Sequence, residues 1–92
     1  MITGFRHKGL KALYQTGSSK AIRPDLVRRV SIILAILDEA HSLDDLRRPS
    51  LRLHALGGTR KGDWSVSVNA QWRITFTCDA GEFGDVDLED YH

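Results

Sequence analysis

A single cysteine, Cys78, leaves no partner for an intrachain disulfide, so the chain cannot be one of the small scaffolds stapled by oxidised cysteines. No basic-then-apolar leader is present, and the longest apolar run, residues 32–37, falls far short of the roughly 20 residues that a spanning helix needs. The expectation is a soluble cytoplasmic protein with no membrane attachment. Four scattered histidines and one cysteine offer none of the short ligand spacings of a zinc site. There is also no Walker loop, no Gly-x-Gly-x-x-Gly and no nucleophile elbow. No cofactor and no metal are therefore expected. At 92 residues the chain suits one domain spanning 1–92, too short to carry a separate cofactor unit.

What is present is a division of charge. Residues 1–61 hold twelve of the thirteen Lys and Arg and five of the twelve acids, a net of +7; residues 62–92 hold the remainder, a net of −6. A basic half of this kind suits a polyanion or an acidic partner, although folding can also interleave the two signs so that no patch survives.

The hydrophobic pattern divides at nearly the same place. Ile2 and Phe5 read as a short strand, and Leu10, Leu13 and Tyr14 as a helix closed by Gly17. Pro24 opens a second helix with the stripe Leu26, Val30, Ile33, Leu34 and Leu37, predicted to continue through Leu43 and Leu46 and to stop before Pro49. From residue 51 the period becomes two: Leu51, Leu53 and Ala55; Trp64, Val66 and Val68; Trp72, Ile74, Phe76 and Cys78. Residues 69–71 suit a hairpin, and residues 79–85 a second reversal into a last strand with Val86 and Leu88. Helices grouped before strands predict an α+β domain, two helices packed on one face of an antiparallel sheet.

The other parity collects Arg52, His54, Ser65, Ser67, Arg73, Thr75, Asp87, Glu89 and Tyr91, a polar face with no helix left to cover it. An open polar face is where a site is expected. His54 interrupts an aliphatic strand there. The chain closes on Asp90, Tyr91 and His92, an acid, a phenol and an imidazole, although strict alternation brings Asp90 and His92 to this face only if the strand twists or bulges. His54 and His92 together supply two groups that exchange protons near neutral pH. Arg73, next to the anchoring Trp72, can hold a phosphate, or else pair with Asp87 or Glu89 across the sheet. The glycine-bounded loop 57–62, with Arg60 and Lys61, can hold a nucleic-acid backbone or simply be a solvated tip. His7 and His41 have no evident partner and read as incidental.

Taken together, Phe5, Lys8 and Leu10, the stretch 53–68 (LHALGGTRKGDWSVSV), Trp72 through Phe76, and the closing Asp90, Tyr91 and His92 resemble the HigB branch of the RelE-like toxins along nearly the whole chain. The resemblance implies a RelE-like microbial-ribonuclease fold and a ribosome-dependent endoribonuclease that cuts messenger RNA in the A site of the 70S ribosome. It also implies a HigA-like helix-turn-helix antitoxin through which operator DNA is reached. By position, His54, Arg73, Asp90, Tyr91 and His92 match residues the family uses in catalysis. Lys8, Lys11, Arg52, Arg60 and Lys61 are expected to meet RNA or the ribosome. Many relatives carry Lys where this chain has Gly57, so Lys61 or Arg60 would have to supply that charge.

Cleavage by the RNA's own 2′-hydroxyl needs a base, a cation for the pentavalent phosphate, an acid for the 5′-oxygen and a surface for the nucleotide. His54 and His92 are the base and acid in either order, Arg73 the cation, Tyr91 the stacking or orienting group, and Asp90 the group fixing an imidazole tautomer. The same fold also hosts ParE-like gyrase inhibitors, which bind rather than cleave, and a non-enzymatic RNA-binding module is a third possibility. The histidine–arginine–tyrosine constellation favours the enzyme.

Overall fold

The computed structural model describes residues 1–90. Helix α1 runs over Lys8–Thr16 and α2 over Pro24–Glu39, and a 3₁₀ turn covers Leu43–Leu46. Strands β1 (His54–Ala55), β2 (Asp63–Ser67), β3 (Trp72–Asp79) and β4 (Glu82–Asp90) follow and pair antiparallel in sequence order. This is the expected α+β arrangement. Leu10 and Leu13 of α1 and Leu26, Val30, Ile33, Leu34 and Leu37 of α2 join Val66, Ile74, Phe76, Phe83 and Val86 of the sheet in one buried cluster. Within it Phe76 and Phe83 meet edge to face, 5.3 Å between ring centroids. No helix among the described residues is long and apolar enough to cross a membrane.

Helix α1 starts on His7, whose Nδ1 accepts the Leu10 N–H at 3.2 Å, and ends on Gly17 at φ 81°. His7 is thus a helix cap and not an incidental residue; the ring nitrogen replaces the usual Ser or Asp oxygen. Tyr14 donates to Asp38 at 2.8 Å and ties α1 to α2, and this bond holds the phenol pKa above its ordinary value.

The expected continuation of α2 through Leu43 and Leu46 does not occur. The helix stops at Glu39, and Ala40 turns extended (ψ 142°) with its carbonyl accepting the Met1 amino group at 2.8 Å. The reason lies in the spacing. Nine residues beyond Leu37, Leu46 would point to the opposite side of a continued helix, away from the core. The break lets Leu46 bury completely in the 3₁₀ turn.

The strands also depart from strict alternation. The segment expected to pair over 51–56 forms a ladder only at His54 and Ala55, because Arg52 adopts φ 48°, and Ala55 is exposed. The N-terminal segment bridges β4 in parallel, Ile2 with Phe83 and Phe5 with Val86, so it extends the sheet beyond the antiparallel strands. The β3–β4 reversal is a two-residue turn, Ala80 and Gly81, both at positive φ, not a loop over 79–85. A side chain at Gly81 would run into the backbone of His41, so the hairpin tip seats against the end of the helical layer. Further along β4, Thr75 pairs with Asp87 and Thr77 with Gly84, leaving two residues opposite Phe76. Asp85, at φ 48°, is the extra residue of this bulge, and it lets both Phe83 and Val86 face the core although they are three apart.

Candidate active site on the polar sheet face

The face turned away from the helices is not open as its sequence suggests. Ser65 and Thr75 are buried on it, because the segment after β1 folds back over the sheet through a 3₁₀ turn at Gly58–Arg60. Arg60 donates two bonds to Glu89, at 2.6 and 2.7 Å, and its Nε lies 3.5 Å from Asp63. The Thr75 hydroxyl donates to the same Glu89 carboxylate. The Arg60 bond, followed by that of Thr75, holds the Glu89 carboxyl below the usual carboxylate range against the opposing effect of burial. The Arg60 guanidinium is raised in turn, chiefly by its bond to Glu89.

Arg73 sits one register position along, opposite Ser67 on β2 and Glu89 on β4. It is half-buried and donates to the Ser65 hydroxyl at 2.9 Å. Two clefts meet at this side chain. The larger, about 530 Å³, is lined by Arg52, Ser67, Asn69, Ala70 and Arg73. The smaller, about 170 Å³, is lined by Leu56, Arg60, Ser65, Arg73, Thr75, Glu89 and Asp90. The Asn69 side-chain oxygen accepts the Gln71 and Trp72 N–H groups at 2.8 Å each, which fixes the turn beside the larger cleft.

The other expected site residues distribute around this centre. His54 is exposed on the edge strand, opposite Ser65, the residue that anchors Arg73. Asp90 pairs with Trp72 as alternation requires, yet from the strand end it borders the smaller cleft while its carboxylate accepts the Gln71 amide at 3.1 Å. Tyr91 and His92 lie outside the described residues. Arg52 is exposed and borders the larger cleft, Lys61 is exposed at the end of the 3₁₀ turn after β1, and Lys8 and Lys11 are exposed on α1 in the helical layer. Arg60, expected in a solvated or RNA-holding loop, is instead part of the cleft wall. The pairing of Arg60 with Glu89, 29 residues apart, escaped the sequence; parity marked Glu89 as outward-facing, but nothing local pointed to its partner. Among the described residues no three His, Cys, Asp or Glu side chains gather in a way that would hold a metal ion.

A family model described as "RelE-like toxin of type II toxin-antitoxin system HigB" matches residues 3–92. The chain is 40% identical over 92 residues, all of both chains, to a Proteus vulgaris protein named Endoribonuclease HigB. Its fold matches YafQ from E. coli strain BL21(DE3) with a TM-score of 0.66 at 13% identity, covering 99% of this chain and 92% of that one. It also matches a chain of the Staphylococcus aureus YoeB–YefM complex with a TM-score of 0.58 at 18% identity, covering 100% and 95%. The match over nearly every residue, joined to this α+β architecture, means that the chain belongs to the HigB-like family of RelE-like toxins from type II toxin–antitoxin systems.

Proposed function

We propose that this chain is an endoribonuclease that cuts messenger RNA in the ribosomal A site and so arrests translation. The observation that carries the reading is Arg73, a guanidinium braced by Ser65 in the shared wall of two clefts, where it can meet a phosphate. The full-length relative that bears an endoribonuclease name supports the same activity.

In this mechanism the 2′-hydroxyl preceding the scissile phosphate attacks phosphorus and the 5′-oxygen leaves, giving a 2′,3′-cyclic phosphate and a 5′-hydroxyl. His54 and His92 take the proton from the nucleophile and return one to the leaving group. Arg73 neutralises the charge that builds on the phosphorane, Asp90 orients an imidazole, and Tyr91 stacks on or orients the nucleotide. Every role falls to a side chain, so cleavage proceeds without a divalent metal. Arg52 at the larger cleft, Lys61 in the loop after β1, and Lys8 and Lys11 on α1 supply positive charge for the message and for ribosomal RNA. The partner is a HigA-like helix-turn-helix antitoxin that carries the operator contacts, and both proteins reside in the cytoplasm.

The test is induced expression in a bacterial host of the wild type, His92→Ala and Arg73→Ala, with primer extension on an abundant message. Cuts within translated frames should appear with the wild type, vanish with His92→Ala and fall by about 10²–10³-fold with Arg73→Ala. Growth arrest with intact message in all three would overturn the reading in favour of a toxin that binds its target, as a ParE-like gyrase inhibitor does.

A further inference from the structure

The strand that carries His54 is poorly held by its own ladder. Only the His54–Ser65 and Ala55–Trp64 pairs join β1 to β2. Flanking backbone bonds add the Leu56 N–H to the Asp63 carbonyl at 2.9 Å and the Ser67 N–H to the Leu51 carbonyl at 2.7 Å. So short an edge strand is weak support for a side chain that chemistry needs within a fraction of an ångström. What returns this region to the sheet is the pair formed by Arg60 and Glu89. It is bidentate, it links the loop after β1 to the far strand β4, and it leaves the two side chains only 36% and 30% exposed. Thr75 fixes the carboxylate from below, and Leu56 closes the same cleft.

We propose that Glu89 is a positioning residue for RNA cleavage: through Arg60 it clamps the 56–62 loop and β1 to the sheet and so holds His54 beside the Ser65–Arg73 pair. The inference rests on the reading that RNA is cut on this face. Arg60, with two nitrogens committed to Glu89, is then a strut and not an RNA contact. As the pair is neutral overall, removing it leaves the charge of the cleft unchanged. Losing both partners should therefore cost no more than losing either, the signature of two residues acting as one unit.

The experiment compares wild type, Arg60→Gln, Glu89→Gln, the double variant and the swapped pair Arg60→Glu with Glu89→Arg. Purified toxins are assayed by single-turnover cleavage of message on programmed ribosomes and by amide hydrogen exchange of the toxin alone. Each Gln variant should lower the maximal rate about tenfold or more with the half-saturating toxin concentration unchanged. The double variant should be no slower than either single one, and the swapped pair should recover most of the rate. Exchange should quicken over 56–62 in the Gln variants while the amides of α2 keep their protection. Glu89→Gln cleaving at or above the wild-type rate while Arg60→Gln raises the half-saturating concentration would overturn the proposal, since Arg60 would then touch RNA and Glu89 would only compete for it. Unchanged exchange over 56–62 would overturn it too. Message left intact by the wild type would instead defeat the assignment of RNA cleavage itself, so the two failures are told apart.

Discussion

The two faces of the sheet are organised by different forces. Toward the helices, Val66, Ile74, Phe76, Phe83 and Val86 are sealed by aliphatic side chains of α1 and α2, and the attraction is non-directional and spread over many contacts. On the opposite face Ser65 and Thr75 are buried just as deeply, but among a few directional bonds, Arg73 to Ser65, Thr75 to Glu89 and Arg60 to Glu89. The first face tolerates exchange of shape for shape and supplies most of the stability of the domain. The second depends on individual atoms, since a buried group left unpaired costs more than the bond it made was worth. The apolar layer and the proposed site are thus separated by the thickness of one sheet.

This contrast breaks most visibly at Phe76. Phe76→Ala should lower unfolding stability by about 3–5 kcal/mol in urea denaturation, because it opens a cavity under Phe83, while the molecules still folded retain cleavage. A large loss of cleavage per folded molecule would show that the apolar face also shapes the site. Thr75→Val keeps the volume and removes one hydroxyl from the Glu89 carboxylate. Its expected cost is about 1–2 kcal/mol by the same measurement, because the Glu89 carboxylate loses a buried hydrogen-bond partner.

The smallest effect is that of pH. Glu89 titrates below its ordinary range when folded, so its pairing contributes in full above that range and is lost as pH falls through the lowered value. The drop in urea midpoint from neutral pH to about pH 3 should therefore be smaller in Glu89→Gln than in the wild type. Equal drops would mean that the partly exposed pair is screened to insignificance.

The helix-facing half of this design was legible because it repeats. Leu26 to Leu37 recur at helical spacing, and Trp72 to Cys78 alternate, so which side chains turn toward the helices follows from counting. Leu43 and Leu46 were misread because apolar character was followed past the point where it left the stripe. Asp85 hid in plain alternation, since a period of two has no place for a spare residue. Arg60 and Glu89 were unreadable for a different reason: parity says which way Glu89 points, but a bond between a loop and a strand 29 residues away has no local period. Of the expected site residues, Arg73 and Arg52 fall on the polar parity and border the clefts, Asp90 keeps the other parity and reaches the smaller cleft only from the strand end, and His54 stands at the sheet edge opposite Ser65.

The spare residue in β4 has a consequence for how the length of the chain can vary over evolutionary time. Loss of one codon from most positions in this strand would exchange the faces, sending Glu89 toward the helices and Leu88 into the cleft. Loss of Asp85 would not. Val86 would then stand alone opposite Phe76, the ladder would become regular, and a backbone held at φ 48° would be relieved. Asp85 is accordingly the place in this strand where a single-residue deletion leaves both the hydrophobic layer and the cleft face turned the way they are now.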